Sequence, residues 1–388
     1  MSALETTRRG VLWLGLKCDV RCEFCYDELV PSSQKAWVPL ADVQLALNKF
    51  RFHYMNHFVD FMGGEPTLHP HVIDIVRHSA EIGLRPTLIT HGMRFADLEF
   101  AAKIKEAGVH DVLMSVHGIG ETVTLIHRRG EGTAHADRQL EGIANLKALG
   151  IPMRFNVTVV RENLEELPAI ADLAVEHGIG VVNFLTFNPY FEWSDGEEIP
   201  FQVRHSEARP FISAAIDTLT DGGVEANVRY TPICQLPGYE QHVFTGHQLP
   251  YDCHEWDYNS WYDRGEPGRP SADWYADAAA LQSERHSYVK PPTCADCAAT
   301  SICDGLHAQY VSRFGESELR AINATDPITD PRHFISKQPH VRREADEPDP
   351  SFDAALAVPL PLTQFEHDLD NRAGVKVEFR PRKAVNDS

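Results

Sequence analysis

Eight cysteines fall in two groups along this 388-residue chain, and both groups have metal-ligand spacing. Cys18, Cys22 and Cys25 form a C-x3-C-x2-C run. Cys234, Cys253, Cys294, Cys297 and Cys303 follow in the last two fifths, the final three as C-x2-C-x5-C. Three thiolates on one short loop can hold three corners of a cuboidal iron–sulfur cluster and leave the fourth iron without a protein ligand. An open iron is a place where a small molecule binds and exchanges electrons. Zinc suits this first group less well, because structural zinc sites close with four protein ligands. The second group admits iron–sulfur ligation or a Cys3His zinc site made of Cys294, Cys297, Cys303 and His307. In a reducing compartment such clusters are metal or catalytic groups rather than disulfides, and a chain of this length needs no disulfide to hold a core.

The elements that must position these thiols alternate regularly. Val11–Leu16 reads as a buried strand directly ahead of Cys18. Strands are then expected at Phe58–Met62, Pro86–Thr90, Asp111–Val116, Met153–Val160 and Gly180–Leu185. Helical spacing falls between them, at Pro39–Phe52, His71–Ile82, Ala96–Ala107, Ala134–Leu149 and Leu164–Glu176, with a further helix at Glu207–Leu219. Six strand–helix pairs argue for βαβ units around a parallel sheet, either an open doubly wound sheet or part of a (β/α) barrel. Both place active sites at the carboxyl ends of the strands. The periodicity changes near Gly222. We therefore expect an α/β core over 8–222, a smaller loop-rich region over 223–325 that is organised by metal, and a Pro/Asp-rich tail over 326–388 that is extended or draped on the surface.

Composition narrows the function classes. The formal charge of −20 repels phosphate backbones, which argues against a nucleic-acid partner. The early apolar run is too short for a bilayer, which needs about 20 residues. No small-residue cleavage site follows Arg8 and Arg9, so the expected location is cytoplasmic, with no membrane partner.

The cysteine run, with aromatic Phe24 before its last member, resembles the signature of the radical SAM superfamily. Further resemblance follows in order over roughly residues 8–220. Gly63-Gly64-Glu65-Pro66 ends the second expected strand, where that family binds the amino group of S-adenosylmethionine (SAM); bare glycines let backbone carbonyls approach a ligand. Thr90-His91-Gly92 ends the third and Ser115-Val116-His117-Gly118 the fourth, where a polar residue commonly reaches the SAM ribose or carboxylate. Asn156 lies on the fifth, and Val181–Leu185 forms the sixth, which often borders the adenine. The resemblance implies a partial (β/α)6 TIM-like barrel whose [4Fe–4S] cluster is held by Cys18, Cys22 and Cys25. It further implies SAM bound at the open iron, reductive cleavage to a 5′-deoxyadenosyl radical, and hydrogen abstraction from an unactivated C–H bond. Phe24, Gly63, Gly64, Glu65, Pro66, Ser115 and Asn156 become the cofactor-binding candidates. From the residues alone, His91 and His117 are read first as hydrogen-bonded strand-end residues.

C-x2-C-x5-C resembles the central part of SPASM and twitch extensions, which carry auxiliary [4Fe–4S] clusters. His307 stands where a full SPASM pattern has its next cysteine. Five cysteines cannot ligate two further clusters fully. One auxiliary cluster is expected, on Cys294, Cys297, Cys303 and either Cys234 or Cys253, with one thiol left over as a buried side chain or a hydrogen-atom donor. Seven Tyr and Trp between Tyr251 and Tyr275 are read mainly as core of this region, with acidic neighbours Asp252, Glu255, Asp257 and Asp263.

Three functions are weighed. The main expectation is a radical SAM enzyme that oxidises, epimerises or dehydrates a small polar metabolite such as a sugar or aminocyclitol. This rests partly on the few residues before the first strand, which leave no room for a peptide-binding module. The alternative is a maturase of a ribosomally made peptide. The third is a non-catalytic iron–sulfur carrier, which would not need the GGEP turn. An enzyme of either kind needs an external electron donor of the flavodoxin or ferredoxin type.

Overall fold

A computed structural model of the chain describes residues 9–25, 35–52, 56–128, 133–187, 199–245, 256–257 and 288–338. Strand–helix alternation dominates the first two thirds. The elements run β1 (Arg9–Trp13), α1 (Leu40–Phe52), β2 (Phe58–Met62), α2 (Val72–Glu81), β3 (Arg85–Thr90), α3 (Leu98–Glu106), β4 (Asp111–Ser115), α4 (Glu121–His127), α5 (Ala134–Ala148), β5 (Met153–Val159), α6 (Leu167–His177), β6 (Val181–Thr186), α7 (His205–Asp221) and β7 (Glu225–Arg229). Short strands β8 (Val243–Phe244) and β9 (Trp256–Asp257) follow, then an antiparallel pair, β10 (Tyr288–Val289) with β11 (Leu306–His307), and helix α8 (Ala308–Phe314).

The sheet order is β8-β7-β6-β5-β4-β3-β2-β1-β9, and every pairing in it is parallel. From β1 to β8 the order never reverses. Each right-handed crossover therefore falls on the same face, which is barrel winding rather than double winding. The helices form a continuous outer layer, α1 against α2, α2 against α3, α3 against α5, α5 against α6 and α6 against α7.

The two faces of the sheet are chemically distinct. On β5, Met153, Phe155, Val157 and Val159 are buried, whereas Arg154, Asn156 and Thr158 alternate with them and are half-buried. The first set joins the main core with Phe61, Val112, Met114, Phe184 and Val228. The second set faces the barrel interior. Near the amino ends that interior is closed by charge. Arg9 donates to Asp60 at 2.6 Å and to Thr87 at 3.4 Å, Thr87 to Asp111 at 2.5 Å, and Arg154 to Asp111 at 2.6 Å, which ties five strands together. Burial works to raise Asp111, but Arg154 and Arg9 outweigh it and hold the carboxyl below its usual range. Near the carboxyl ends the last interior residues (Trp13, Met62, Ile89, Ser115, Thr158, Leu185) are all half-exposed. The open mouth is at the carboxyl ends.

Several expectations are corrected in detail. The helix expected over Ala96–Ala107 breaks at Asp97, whose carboxylate caps Glu99 and Phe100 N–H groups and starts α3 at Leu98. The one expected over Leu164–Glu176 begins as a single turn, Arg161–Glu166, before α6. Helix α4 was not foreseen, because its seven residues carry four β-branched side chains and too little periodicity. The sheet does not stop at the sixth strand or at residue 222. Strand β7 reads Glu-Ala-Asn-Val-Arg, a polar alternation that lacks the apolar run of the earlier strands. Strand β9 joins the opposite edge beside β1, although it lies in the stretch expected to be a separate region. At the start of the expected tail, Ile335 packs on Phe244, and the Gln338 amide donates to the Gln241 carbonyl at 2.8 Å.

Candidate functional site

The first cysteine group leaves the carboxyl end of β1 and crosses the barrel mouth. Its backbone is fixed from two sides. Arg21 N–H donates to His127 O at 2.9 Å and Glu23 N–H to Ile126 O at 3.3 Å, so the free carbonyls at the end of α4 hold the loop. Arg128 reinforces this with a 2.5 Å ion pair to Glu23. From the other side, Glu65 N–H donates to Lys17 O at 2.9 Å. Gly63 and Gly64 have φ of +88° and +53°, and a Cβ on them would lie 2.5 Å from Gly15 O and 2.2 Å from Lys17 O. In this structure the glycines therefore admit the cysteine loop itself against the end of β2. Cys22 and Phe24 pack on a small apolar cluster of Ile126, Val160, Ile199 and Phe201, which shields this side of the loop from water.

The Glu65 carboxylate is occupied by the scaffold. It accepts from Thr67 N–H at 3.0 Å, Thr67 Oγ1 at 2.6 Å, Thr90 Oγ1 at 2.6 Å and His91 N–H at 3.0 Å, and it is almost fully buried. What the GGEP turn leaves available is backbone. Pro66 opens the short turn Pro66–Leu68 that follows. His91 Nε2 meets Asp19 at 2.7 Å and Glu65 at 3.2 Å. Burial alone would lower its pKa; the Glu65 charge, with Asp19 and a hydrogen bond to Cys18, raises it to about 10. His91 Nδ1 accepts from Met93 N–H at 3.3 Å, so Nε2 is the nitrogen that holds the proton toward Asp19, and Cys18, Asp19 and His91 place one ligand atom each within 4.8 Å of one another.

Across the mouth, Ser115 and Asn156 are direct register partners on β4 and β5. Phe24 meets the His117 ring edge-on, with centroids 4.9 Å apart, so it bridges the cysteine loop to the end of β4. His117 Nδ1 accepts from Thr158 N–H at 3.1 Å, which leaves its Nε2 as the donor. Burial, with His91 nearby, pushes it down to about 4, so His117 is neutral.

These placements gather every N-terminal candidate at one end of the barrel. Sequence reasoning missed the residues that brace them. Gln139 donates to both His91 O at 2.7 Å and Ser115 O at 2.9 Å, locking two strand ends together. Nothing marks it in the sequence, since it is one polar residue within a polar helix. The Asp19–His91 pair is separated by 72 residues and could be found only by folding the chain.

Comparison with known proteins bears on this mouth directly. The Radical SAM superfamily profile matches residues 14–174, which span the cysteine loop, the GGEP turn, Ser115 and Asn156. The chain carries a radical SAM domain. Its cofactors are accordingly a [4Fe–4S] cluster and SAM, and the donor set fits, with three thiols on one braced loop at an open mouth. PqqA peptide cyclase of Methylobacterium sp. (strain 4-46) is 30% identical over 183 residues, covering 46% of this chain and 46% of that protein. Fe-coproporphyrin III synthase of Methanosarcina barkeri is 28% identical over 175 residues, covering 45% and 43%. The chain therefore spans about half the length of the curated relatives it matches. Among solved structures, Streptococcus suis SuiB bound to S-adenosylmethionine superposes with a TM-score of 0.55 at 14% identity, covering 82% of this chain and 77% of SuiB. That likeness establishes the fold, a radical SAM partial barrel with a smaller cysteine-bearing region.

The radical SAM domain is followed by the second cysteine group. Cys234, Cys294, Cys297 and Cys303 line one pocket with Ile233, Ala299, Leu319 and Ile322. They come from a single turn after β7 and from the loops between β10 and β11. Burial pushes the Cys303 thiol up to about 12 and raises Cys294 too, the latter helped by Cys234 and Cys297. Cys294 and Cys303 are thus poor thiolates on their own, and a bound cation supplies the charge they need. His307 does not complete this set as a free ligand: its ring caps α8 by accepting from Gln309 N–H at 3.3 Å, and it is buried beside Tyr288. Cys253 lies outside the described residues, as do most of the aromatic and acidic side chains between Tyr251 and Tyr275.

Proposed function

We propose that this chain is a cytoplasmic radical SAM enzyme that modifies a ribosomally made peptide, with electrons supplied by a small flavodoxin- or ferredoxin-like donor. The observation that carries the enzymatic reading is the braced cysteine loop over an open, half-exposed mouth at the carboxyl ends of β1–β6. A mere iron–sulfur carrier has no use for such a cavity. The peptide reading is favoured over the small-metabolite one by the relatives: PqqA peptide cyclase matches the core, and SuiB, of the same fold, is known in complex with its precursor peptide SuiA.

Cys18, Cys22 and Cys25 hold the cluster, and the backbone of Gly63–Pro66 with Ser115 and Asn156 holds SAM. Together these cofactors supply one-electron cleavage of SAM and hydrogen abstraction from an unactivated C–H bond. The chain's own residues do the rest. His91 directs its Nε2 proton toward Asp19 and Cys18. Neutral His117 offers a hydrogen bond from Nε2 without bringing a positive charge. The apolar cluster under Cys22 and Phe24 keeps water away, which protects a reactive intermediate from side reactions.

The same reading assigns one auxiliary [4Fe–4S] cluster to Cys234, Cys294, Cys297 and Cys303, and leaves Cys253 as the spare thiol. The 8–222 core is then best extended to about residue 245, where β8 forms the sheet edge beside β7. Anaerobic reconstitution tests the proposal: about eight irons per chain and SAM-derived 5′-deoxyadenosine are expected. About four irons, or no SAM cleavage by the reduced protein, would overturn it.

A further inference from the structure

Three asparagines cross the barrel interior in a single row. Asn156 on β5 is the register partner of Asn183 on β6, and Asn183 that of Asn227 on β7. Asn183 Nδ2 donates to Asn156 Oδ1 at 2.9 Å, and Asn227 Nδ2 donates to Asn183 Oδ1 at 3.0 Å. Each amide thus fixes the orientation of the next, and the row has a direction. Its β5 end presents the Asn156 amide nitrogen beside Ser115. Its β7 end presents Asn227 Oδ1, an acceptor that is buried and takes no hydrogen bond among the described residues. Asn227 is 3% exposed and Asn183 5%.

A buried acceptor without a donor costs on the order of 1–3 kcal/mol, so an interior position of this kind needs a reason. The row sits just under the mouth. One interior position further on, Leu185 and Arg229 are register partners and half-exposed. A buried ammonium would demand an anionic partner, which a single carboxamide oxygen does not provide. A neutral N–H, as in a peptide group, is satisfied by one such oxygen.

We infer that Asn227 Oδ1 is a substrate-recognition point that accepts a backbone N–H of the bound peptide, while Asn183 sets the amide orientation at both ends of the row. SAM and substrate then lie at opposite ends of one asparagine ladder, with the substrate against β6 and β7. This rests on the peptide reading above, and the test separates the two.

Reconstituted holoenzyme with SAM is panned against a displayed library of random twelve-residue peptides, and enriched sequences are measured for affinity on three proteins. Iron content and thermal melting confirm that each variant is folded and loaded. Asn227→Leu removes the acceptor, and about tenfold weaker binding is expected. Asn183→Leu keeps the Asn227 oxygen but releases its amide to turn, so a smaller loss, of about threefold, is expected. Equal affinity of wild type and Asn227→Leu overturns the recognition point and leaves the peptide reading standing. Equal losses from both variants assign the row a structural role only, which also overturns it. Failure of the wild type to enrich any peptide overturns the peptide reading, and this inference with it.

Discussion

The two cysteine sites differ in how the chain holds them. The first draws three thiols from eight consecutive residues and lays them across an open mouth, pinned by backbone hydrogen bonds to α4 and to the end of β2. The second draws four thiols from segments some 60 residues apart and encloses them among apolar side chains. A local motif on a braced loop leaves one side free for a ligand. Four thiols enclosed together are enough to saturate a bound group with protein ligands. The contrast fits a reactive centre and an auxiliary one, and it can be broken by mutation one site at a time.

The largest effect is expected from replacing Cys18, Cys22 and Cys25 together by Ala. SAM cleavage should vanish while about four irons remain, measured by product chromatography and iron assay on the same sample. Retained cleavage would mean the reactive site is elsewhere. The second site is probed by single changes. Cys234→Ala should cost about four irons and Cys253→Ala none; equal losses would place both cysteines at the cluster and end the assignment of a spare thiol.

Gly64→Ala tests the bracing without touching a thiol. Its Cβ would meet Lys17 O at 2.2 Å at a φ that alanine tolerates poorly, so the loop must shift. Iron at the first site should fall at least several-fold while the second keeps its full complement, resolved by Mössbauer or EPR signals of the two clusters. Equal loss from both would show general unfolding instead of local displacement.

These outcomes also mark what the sequence could disclose. Both cysteine motifs are short-range patterns, and a C-x3-C-x2-C run states its ligands without the fold. Strands β1 to β4 and β6 are buried on both faces at their centres and β5 alternates buried with half-buried residues, so all six stand out between helices. Strand β7 was hidden because its interior face carries Glu225, Asn227 and Arg229. The choice between Cys234 and Cys253 depends on where β7 ends relative to β10, and the Glu65–His91–Asp19 network joins three loops. Spacing along the chain carries no information on such contacts. The GGEP glycines were read as room for a ligand, and their nearest neighbours proved to be the carbonyls of the cysteine loop.

The smallest effect concerns the seam that joins the second site to the barrel. His205 begins α7 and stacks on Tyr310 of α8, with ring centroids 4.4 Å apart. His205 N–H donates to the Tyr310 hydroxyl at 2.9 Å, and that hydroxyl donates to Glu318, which also accepts from Ser206. Burial pushes His205 down to about 4, with Glu318 and Arg209 opposing each other as weaker influences. In the unfolded chain an imidazole titrates near 6.5. Between those values the unfolded state binds the proton and the folded state does not, so stability is complete above about pH 6.5 and falls as the pH drops toward 4. The loss amounts to about 3 kcal/mol at the acid end. His205→Phe keeps the ring stack and removes the titration. Urea unfolding between pH 7 and 4.5 should therefore show a shallower acid slope for the variant, with the difference confined to the transition that releases α8 and the second cluster. Parallel slopes for the two proteins would mean that the acid sensitivity of this seam lies in Glu318 or outside it, and that the two sites unfold as one unit.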